Sequence, residues 1–197
     1  MLLILCGPSG AGKSTLCSLL LNQDSDFSLS VSCTTRAPRG QEVHGREYWF
    51  VSPEDFQRQV GENAFAEYAL VHGNWYGTLR SAIDASLAEG RSLVFDIDYQ
   101  GAQQLRASYP EAVSVMVLPP DMQTLEARLR GRGTDSQDVI EKRLAKARHE
   151  IQQTGEFDYV ILNEEIEQSW ALLQSIVRAS RHRAPYIWPA LKGRFSV

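Results

Sequence analysis

The chain has 197 residues, 43% of them hydrophobic and 22% charged, with a formal net charge of −4 at pH 7. That suits one globular domain with insertions, and it argues against a general nucleic-acid binder, which carries a basic excess. No apolar run approaches ~18 residues and the apolar N-terminus lacks a basic flank, so neither a membrane span nor a signal peptide is expected.

The first element is an apolar strand, Leu2–Cys6, followed directly by Gly7-Pro8-Ser9-Gly10-Ala11-Gly12-Lys13-Ser14. This satisfies G-x-x-x-x-G-K-[ST] in full, between a strand and a helical pattern at Leu16, Leu19 and Leu20. Glycines there let main-chain N–H groups turn inward on phosphate oxygens, and a helix opening at Lys13 adds the positive end of its dipole. Lys13 supplies a mobile charge for the β- and γ-phosphates, and the Ser14 hydroxyl is placed to ligate Mg²⁺. A nucleoside triphosphate is the ligand expected.

A second strand-like run covers Leu29–Cys33, and the chain then loses its rhythm. Arg36 and Arg39 bracket an Ala-Pro step that keeps the loop extended, and arginine forks suit phosphate oxygens. From Thr34 to about Gly77 the chain is aromatic, rich in turns and half-alternating, which reads as a small, largely antiparallel insertion.

Leu93–Ile97 is the next strand, carrying Asp96 and, just beyond it, Asp98. Period two puts both carboxylates on one face at the ligand-binding edge of an α/β sheet; the plainer reading is a pair of loop acids capping the next helix. Asp96 is assigned to the metal side and Asp98 to the acceptor side. A helix over Gln100–Ala107, a strand at Val113–Leu118 and a helix at Met122–Leu129 continue the alternation. Gly131-Arg132-Gly133-Thr134 precedes a helix at Asp138–Gln153 and reads as a hinged lid. Tyr159–Leu162 and Ile166–Ala179 supply the last strand and helix. The order predicts a three-layer α/β/α fold around a parallel sheet. Cys6, Cys17 and Cys33 all lie on apolar segments and read as reduced core residues of a cytoplasmic protein.

Several stretches together resemble the guanylate kinase family, nearly end to end from Leu2 to about Arg181. They are GPSGAGKST, SVSCTTRAPRGQEVHGREYWFVS, FAEYALVHGNWYGT, DIDYQGA, RLRGRGTDS and FDYVILN. The resemblance implies Mg²⁺-dependent transfer of a phosphoryl group from ATP to GMP. It implies that Arg36, Arg39, Tyr48 and Tyr76 hold the GMP phosphate, while Ser32, Glu67, Thr78 and Asp98 read the guanine. ATP would lie on Gly7, Pro8, Ser9, Gly10, Ala11, Gly12, Lys13, Ser14 and Thr15, with Arg128, Arg132 and Arg143 closing from the lid and Asn163 near the base. Lys13, Arg36, Arg132 and Arg143 would carry the catalytic charge, and Ser14 and Asp96 the metal. The implied division is a core of 1–33, 79–127 and 156–181, a GMP-binding subdomain of 34–78, a lid of 128–155 and a tail of 182–197. Cys33 and Thr78 depart from the commoner family residues without loss of the roles proposed nearby.

The alternative is a non-catalytic guanylate-kinase-like interaction module. Such modules tend to lose the phosphate loop or lid arginines, and this chain keeps Gly12, Lys13, Ser14, Arg132 and Arg143. The tail from Arg181 is basic, aromatic and broken by proline. It reads as a loosely docked or disordered end, with a homo-oligomer contact through Tyr186 and Trp188 as the second option.

Overall fold

The computed structural model describes residues 1–71, 73–131, 133 and 136–195. The chain runs β1 (Leu2–Cys6), α1 (Lys13–Gln23), β2 (Phe27–Leu29), β3 (Cys33–Thr34), β4 (Trp49–Phe50), α2 (Pro53–Gly61), β5 (Phe65–Val71) and β6 (Asn74–Leu79). It continues α3 (Arg80–Ala88), β7 (Ser92–Asp96), α4 (Tyr99–Ser108), β8 (Val113–Leu118), α5 (Met122–Arg130), α6 (Gln137–Gln152), β9 (Tyr159–Leu162), α7 (Ile166–Arg181) and α8 (Ala184–Leu191).

Five parallel strands in the order β2-β7-β1-β8-β9 form the central sheet. Alternation along β1 divides its side chains between two cores. Leu3 and Leu5 pack with Leu16 and Leu20 of α1 and Leu173 of α7; Leu2, Ile4 and Cys6 pack with Ile83 of α3 and Leu105 of α4. Helices therefore cover both faces, which is the three-layer arrangement expected. β1 lies between β7 and β8; the chain leaves β1 for β2 on the β7 side and later passes from β7 to β8 on the other, so a crevice opens at the carboxyl ends of β1 and β7, where α/β sheets hold ligands.

The smaller sheet has the order β4-β3-β6-β5, with two of its three pairings antiparallel. It closes on α2 through an aromatic stack in which Phe56 lies 4.4 Å from Phe65 and 5.9 Å from Trp75 between ring centroids. Its outer strand β5 is tied to α4 rather than left as an open edge. Tyr68 N–H donates to the Gln104 side chain at 3.0 Å, Gln104 Nε2 returns a bond to Tyr68 O at 2.8 Å, and Ser108 Oγ donates to Ala66 O at 3.0 Å.

Three readings of the sequence need correction. The run Leu29–Cys33 is not one strand: β2 ends at Leu29 in the central sheet, and Cys33 opens β3 in the smaller one. The smaller sheet thus takes in Cys33 and Leu79, one residue to either side of 34–78. α2 and α3 were missed, although Ser52 caps α2 by accepting from Asp55 N–H with Pro53 in the first turn, a readable start signal. The tail is ordered as α8. Tyr186 packs on the core beside α7, its hydroxyl donates to the Glu111 carbonyl, and Trp188 stacks on Phe195. The Tyr186 ring is thereby engaged within its own chain. Among the described residues no helix is long and apolar enough to cross a membrane.

Candidate active site

The phosphate loop is built where β1 ends and α1 begins. Gly12 caps α1 in a left-handed conformation, φ +102, and a Cβ there would lie 2.0 Å from Asn163 Nδ2. Glycine is the residue that this corner admits. Asn163 is buried beneath the loop and donates to Ala11 O at 2.7 Å. Arg128 donates to Asn163 O at 3.1 Å and Gly10 O at 3.5 Å. Both residues are expected around ATP, and their bonds also support the loop's main chain. Lys13 Nζ donates to Gly7 O at 2.6 Å and Pro8 O at 3.3 Å, and lies 3.9 Å from Asp96 Oδ1.

Ser14 Oγ donates to Asp96 Oδ2 at 2.7 Å, so the two residues expected at the metal stand side by side. A hydroxyl and one carboxylate form a hard oxygen pair of the kind Mg²⁺ takes, with the rest of its shell drawn from water and substrate phosphates. The described residues hold no group of three or more His, Cys, Asp or Glu that would form an all-protein metal cage. Asp98 does not continue the strand beside Asp96. β7 stops at Asp96, and Asp98 caps α4, accepting from Gly101 N–H at 3.1 Å; the capping reading holds for this acid.

A cavity of about 660 Å³ spreads from the phosphate loop over Asp96, Ile97 and Asp98 to α6, which presents Arg143, Lys146 and Glu150. A second, of about 230 Å³, lies toward the smaller sheet and reaches Ser32 and Tyr48. Ser14, Asp96 and Ile97 line both. Arg143 Nη1 donates to Ser9 Oγ at 3.2 Å, bringing the helix of the expected lid onto the loop. Arg132 and Thr134 of the expected hinge lie outside the described residues.

In the smaller sheet Glu67 is 4% exposed. A register shift between Phe65 and Glu67 breaks the alternation, turning Glu67 toward the same side as Ala66, against α4. Thr78 Oγ1 donates to Glu67 Oε1 at 2.6 Å, and Ser32 Oγ lies 3.1 Å from Thr78 Oγ1, so the proton order runs from Ser32 to Thr78 to Glu67. A Cβ at Gly101 would come 2.8 Å from Glu67 Oε2. Burial pushes the Glu67 carboxyl up to about 7 against the pull of the Thr78 bond, with the Asp98 charge adding to the rise.

Arg36 is 9% exposed, and Nε donates to the Tyr76 hydroxyl at 3.2 Å. Its guanidinium carbon lies 5.4 Å from the Tyr48 ring centroid, and the Tyr48 and Tyr76 rings meet edge to face at 5.8 Å. Arg36, Tyr48 and Tyr76 are therefore together. Arg39 is exposed and joins only through its main chain, with N–H donating to Glu42 Oε2 at 2.8 Å. Sequence reasoning missed Glu42, whose carboxylate takes both Arg36 ends at 2.9 Å. It also missed Lys146 and Glu150, although they follow Arg143 at helical spacing, a signal that was open to reading.

A phosphate loop leading into a helix, an acid at the end of the adjacent parallel strand and a helix whose Arg143 meets the loop define a phosphate-loop kinase. The family model described as guanylate kinase matches residues 1–180. A guanylate kinase of Dechloromonas aromatica is 51% identical over 179 residues, 91% of this chain and 89% of its relative. One from Aromatoleum aromaticum is 52% identical over 182 residues, covering 92% and 89%. The crystal structure of guanylate kinase from Anaplasma phagocytophilum superimposes with a TM-score of 0.76 at 33% identity, covering 100% of this chain and 96% of that one. The chain belongs to the guanylate kinase family.

Proposed function

We propose that the two adjoining cavities carry out ATP:GMP phosphotransfer, the reaction of the family, in a Mg²⁺-dependent form. One observation carries this reading: a phosphate loop and the polar chain Glu67-Thr78-Ser32, whose Ser32 lines the second cavity, flank a shared junction at Ser14 and Asp96. ATP lies along Gly7 to Thr15, with main-chain N–H groups on its phosphates. Ser14 and Asp96 hold Mg²⁺, which when bound neutralises charge on the triphosphate. Arg36, Tyr48 and Tyr76 bind the GMP phosphate, with Arg39 at the rim.

Guanine presents N1–H and the exocyclic amine as adjacent donors, and Glu67 accepts both. Thr78, already donating to Oε1, fixes the carboxylate plane. Adenine would face Glu67 with an acceptor at N1 and no amine beside it. A good bidentate base contact is worth about 1–3 kcal/mol of discrimination in nucleic-acid readout. Stranding a buried carboxylate enlarges that figure.

The acceptor is a phosphate anion, so no general base is required. Catalysis is positioning together with neutralisation of charge on the transferred group by Lys13, Arg36, Arg132 and Arg143. The core of 1–33, 79–127 and 156–181 carries ATP, 34–78 carries GMP, and 128–155 closes over both, leaving the tail of 182–197 outside the chemistry. Closure keeps water from acting as acceptor. We place the enzyme in the cytoplasm and in purine nucleotide metabolism, where buried thiols stay reduced. Cys6, Cys17 and Cys33 are all free and buried, with burial pushing the first two up to about 12 and the third to about 11.

Measuring ADP release with GMP, AMP, CMP and UMP, each with Mg²⁺ and with excess chelator, tests the assignment. Turnover with GMP alone, abolished by chelation, is expected. Equal turnover with AMP would refute the guanine-reading role of Glu67. Scattering in solution should show compaction only when GMP and an ATP analogue are present together, since both moving parts must close.

A further inference from the structure

α6 divides its surface between two tasks. Ile140, Leu144 and Ala147 pack on Leu125 and Leu129 of α5. The adjoining face carries Val139, Arg143, Lys146 and Glu150 into the large cavity. Residues three and four apart on a helix stack along one face, so these side chains form a row across the cleft.

The two ends of that row touch different parts of the site. Arg143 reaches the phosphate loop at Ser9, 3.2 Å away. One turn further on, Lys146 Nζ donates to Asp98 Oδ2 at 2.9 Å. Glu150, 4% exposed, stands behind it with Oε1 3.5 Å from the same ammonium. Burial alone would pull the Lys146 ammonium down, but the Asp98 bond and charge and the Glu150 charge outweigh it and hold it above its ordinary value.

Asp98 has capacity to spare. Oδ1 accepts from Gly101 N–H and Oδ2 from Lys146. An ionised carboxylate offers about four acceptor positions, so two remain for donors of the acceptor base. The family resemblance sets Asp98 among the guanine-reading residues, and the Lys146 bond aims its carboxylate.

We infer that Lys146 is a positioning residue that couples the acceptor pocket to the lid: through Asp98 it seats α6 when GMP is present, and α6 in turn seats Arg143 over the phosphate loop. The inference rests on the proposed placement of GMP beside Asp98. Arg143 and Lys146 make one rigid helical turn into a strut between donor and acceptor. Such coupling is reciprocal, so GMP must tighten ATP binding by the factor by which ATP tightens GMP.

Calorimetric titration of the whole chain with the β,γ-imido analogue of ATP, with and without saturating GMP, reads that factor. For the wild-type protein it should be roughly five-fold or more. Lys146→Met should bring it close to unity while leaving the affinity for the analogue alone within about two-fold. Lys146→Arg, which keeps a charge that can reach Asp98, should restore it. A Lys146→Met protein that couples as well as wild type overturns the inference, as does a wild type that binds both nucleotides without coupling. A loss of affinity for the analogue in the absence of GMP equal to that in its presence also overturns it, because Lys146 would then be an ordinary phosphate ligand. Failure of the wild-type protein to bind GMP at all would instead remove the placement of GMP.

Discussion

In the proposed function the donor and acceptor halves of the site hold anions by opposite means. At the donor end the binding groups are main-chain amides of one continuous loop, propped from below by Asn163 and Arg128 through carbonyl oxygens. At the acceptor end they are side chains of β5, β6 and the loops flanking β3, and two internal carboxylates complicate the picture. Glu42 already occupies Arg36, and Glu67 is buried with a hydroxyl as its direct partner. A main-chain cradle has its shape set by φ and ψ and needs no countercharge. A side-chain cradle must be kept neutral by its own residues, so its charges are tuned in pairs.

The largest effect expected from breaking this contrast is at Lys13, the side-chain charge that the donor loop itself carries. Lys13→Ala should lower turnover by roughly 10²–10³-fold, the scale for removing a single preorganised charge or donor. The thermal midpoint should stay near wild type, because the ammonium hydrogen-bonds to the Gly7 and Pro8 carbonyls of its own loop and meets Asp96 no closer than 3.9 Å. Gly12→Ala should do the reverse. Forcing a Cβ onto Asn163 at φ +102 costs about 1–3 kcal/mol in stability and distorts the cradle itself. If Lys13→Ala unfolded the protein while Gly12→Ala left it untouched, the main-chain account of the donor end would be wrong.

That contrast also governs how far each end could be read from the sequence. The donor loop is contiguous, its glycines and lysine have fixed spacing, and the flanking strand and helix announce themselves by period; β1, α1, β8 and β9 fell where the pattern put them or around it. The acceptor end is assembled across the smaller sheet by pairings that periodicity does not encode. Short strands such as Cys33–Thr34 and Trp49–Phe50 carry almost no pattern, so the split of Leu29–Cys33 between two sheets was invisible. The register shift that turns Glu67 inward depends on β6 and cannot be seen along β5 alone. Glu42 was hidden for a different reason: an acid in a charged loop looks solvated until the arginine it faces is known to be buried. Asn163 and Arg128 were found by family resemblance, but their use as supports beneath the loop needed the tertiary contact between β9 and α5 and the loop.

At the acceptor end the larger effect belongs to Glu67. Glu67→Gln puts a donor where the guanine N–H groups expect an acceptor, and kcat/KM for GMP should fall about 5–150-fold, equivalent to about 1–3 kcal/mol, with KM for ATP nearly unchanged. The carboxyl titrates near 7, so KM for GMP should fall as pH rises through that value in the wild type and stay flat in the variant. Stability should move the other way. A carboxyl raised in the folded state binds its proton more tightly there than in the unfolded chain, so its favourable contribution is complete below the ordinary carboxylate range and is lost as pH rises through about 7. Glu67→Gln should therefore melt above the wild type at pH 8, with the gap narrowing toward pH 5. A gap independent of pH would show that the carboxylate carries no burial penalty.

The smallest effect, and the sharpest test of charge pairing, lies at Glu42. Its two oxygens hold both ends of the Arg36 guanidinium, and Arg36 in turn keeps Glu42 below the usual carboxylate range, with the Arg39 N–H bond helping. Glu42→Gln removes the countercharge from an arginine packed between Tyr48 and Tyr76, so the free protein should melt lower than wild type. The GMP phosphate would then supply the missing anion. Saturating GMP should raise the thermal midpoint of the variant more than that of the wild type, because a ligand that binds only the folded state stabilises in proportion to the logarithm of its affinity. Donor-side parameters should not change. An equal GMP-induced shift in both proteins would mean that Glu42 and the phosphate do not share Arg36. The acceptor cradle would then be as indifferent to internal charge as the main-chain loop opposite it.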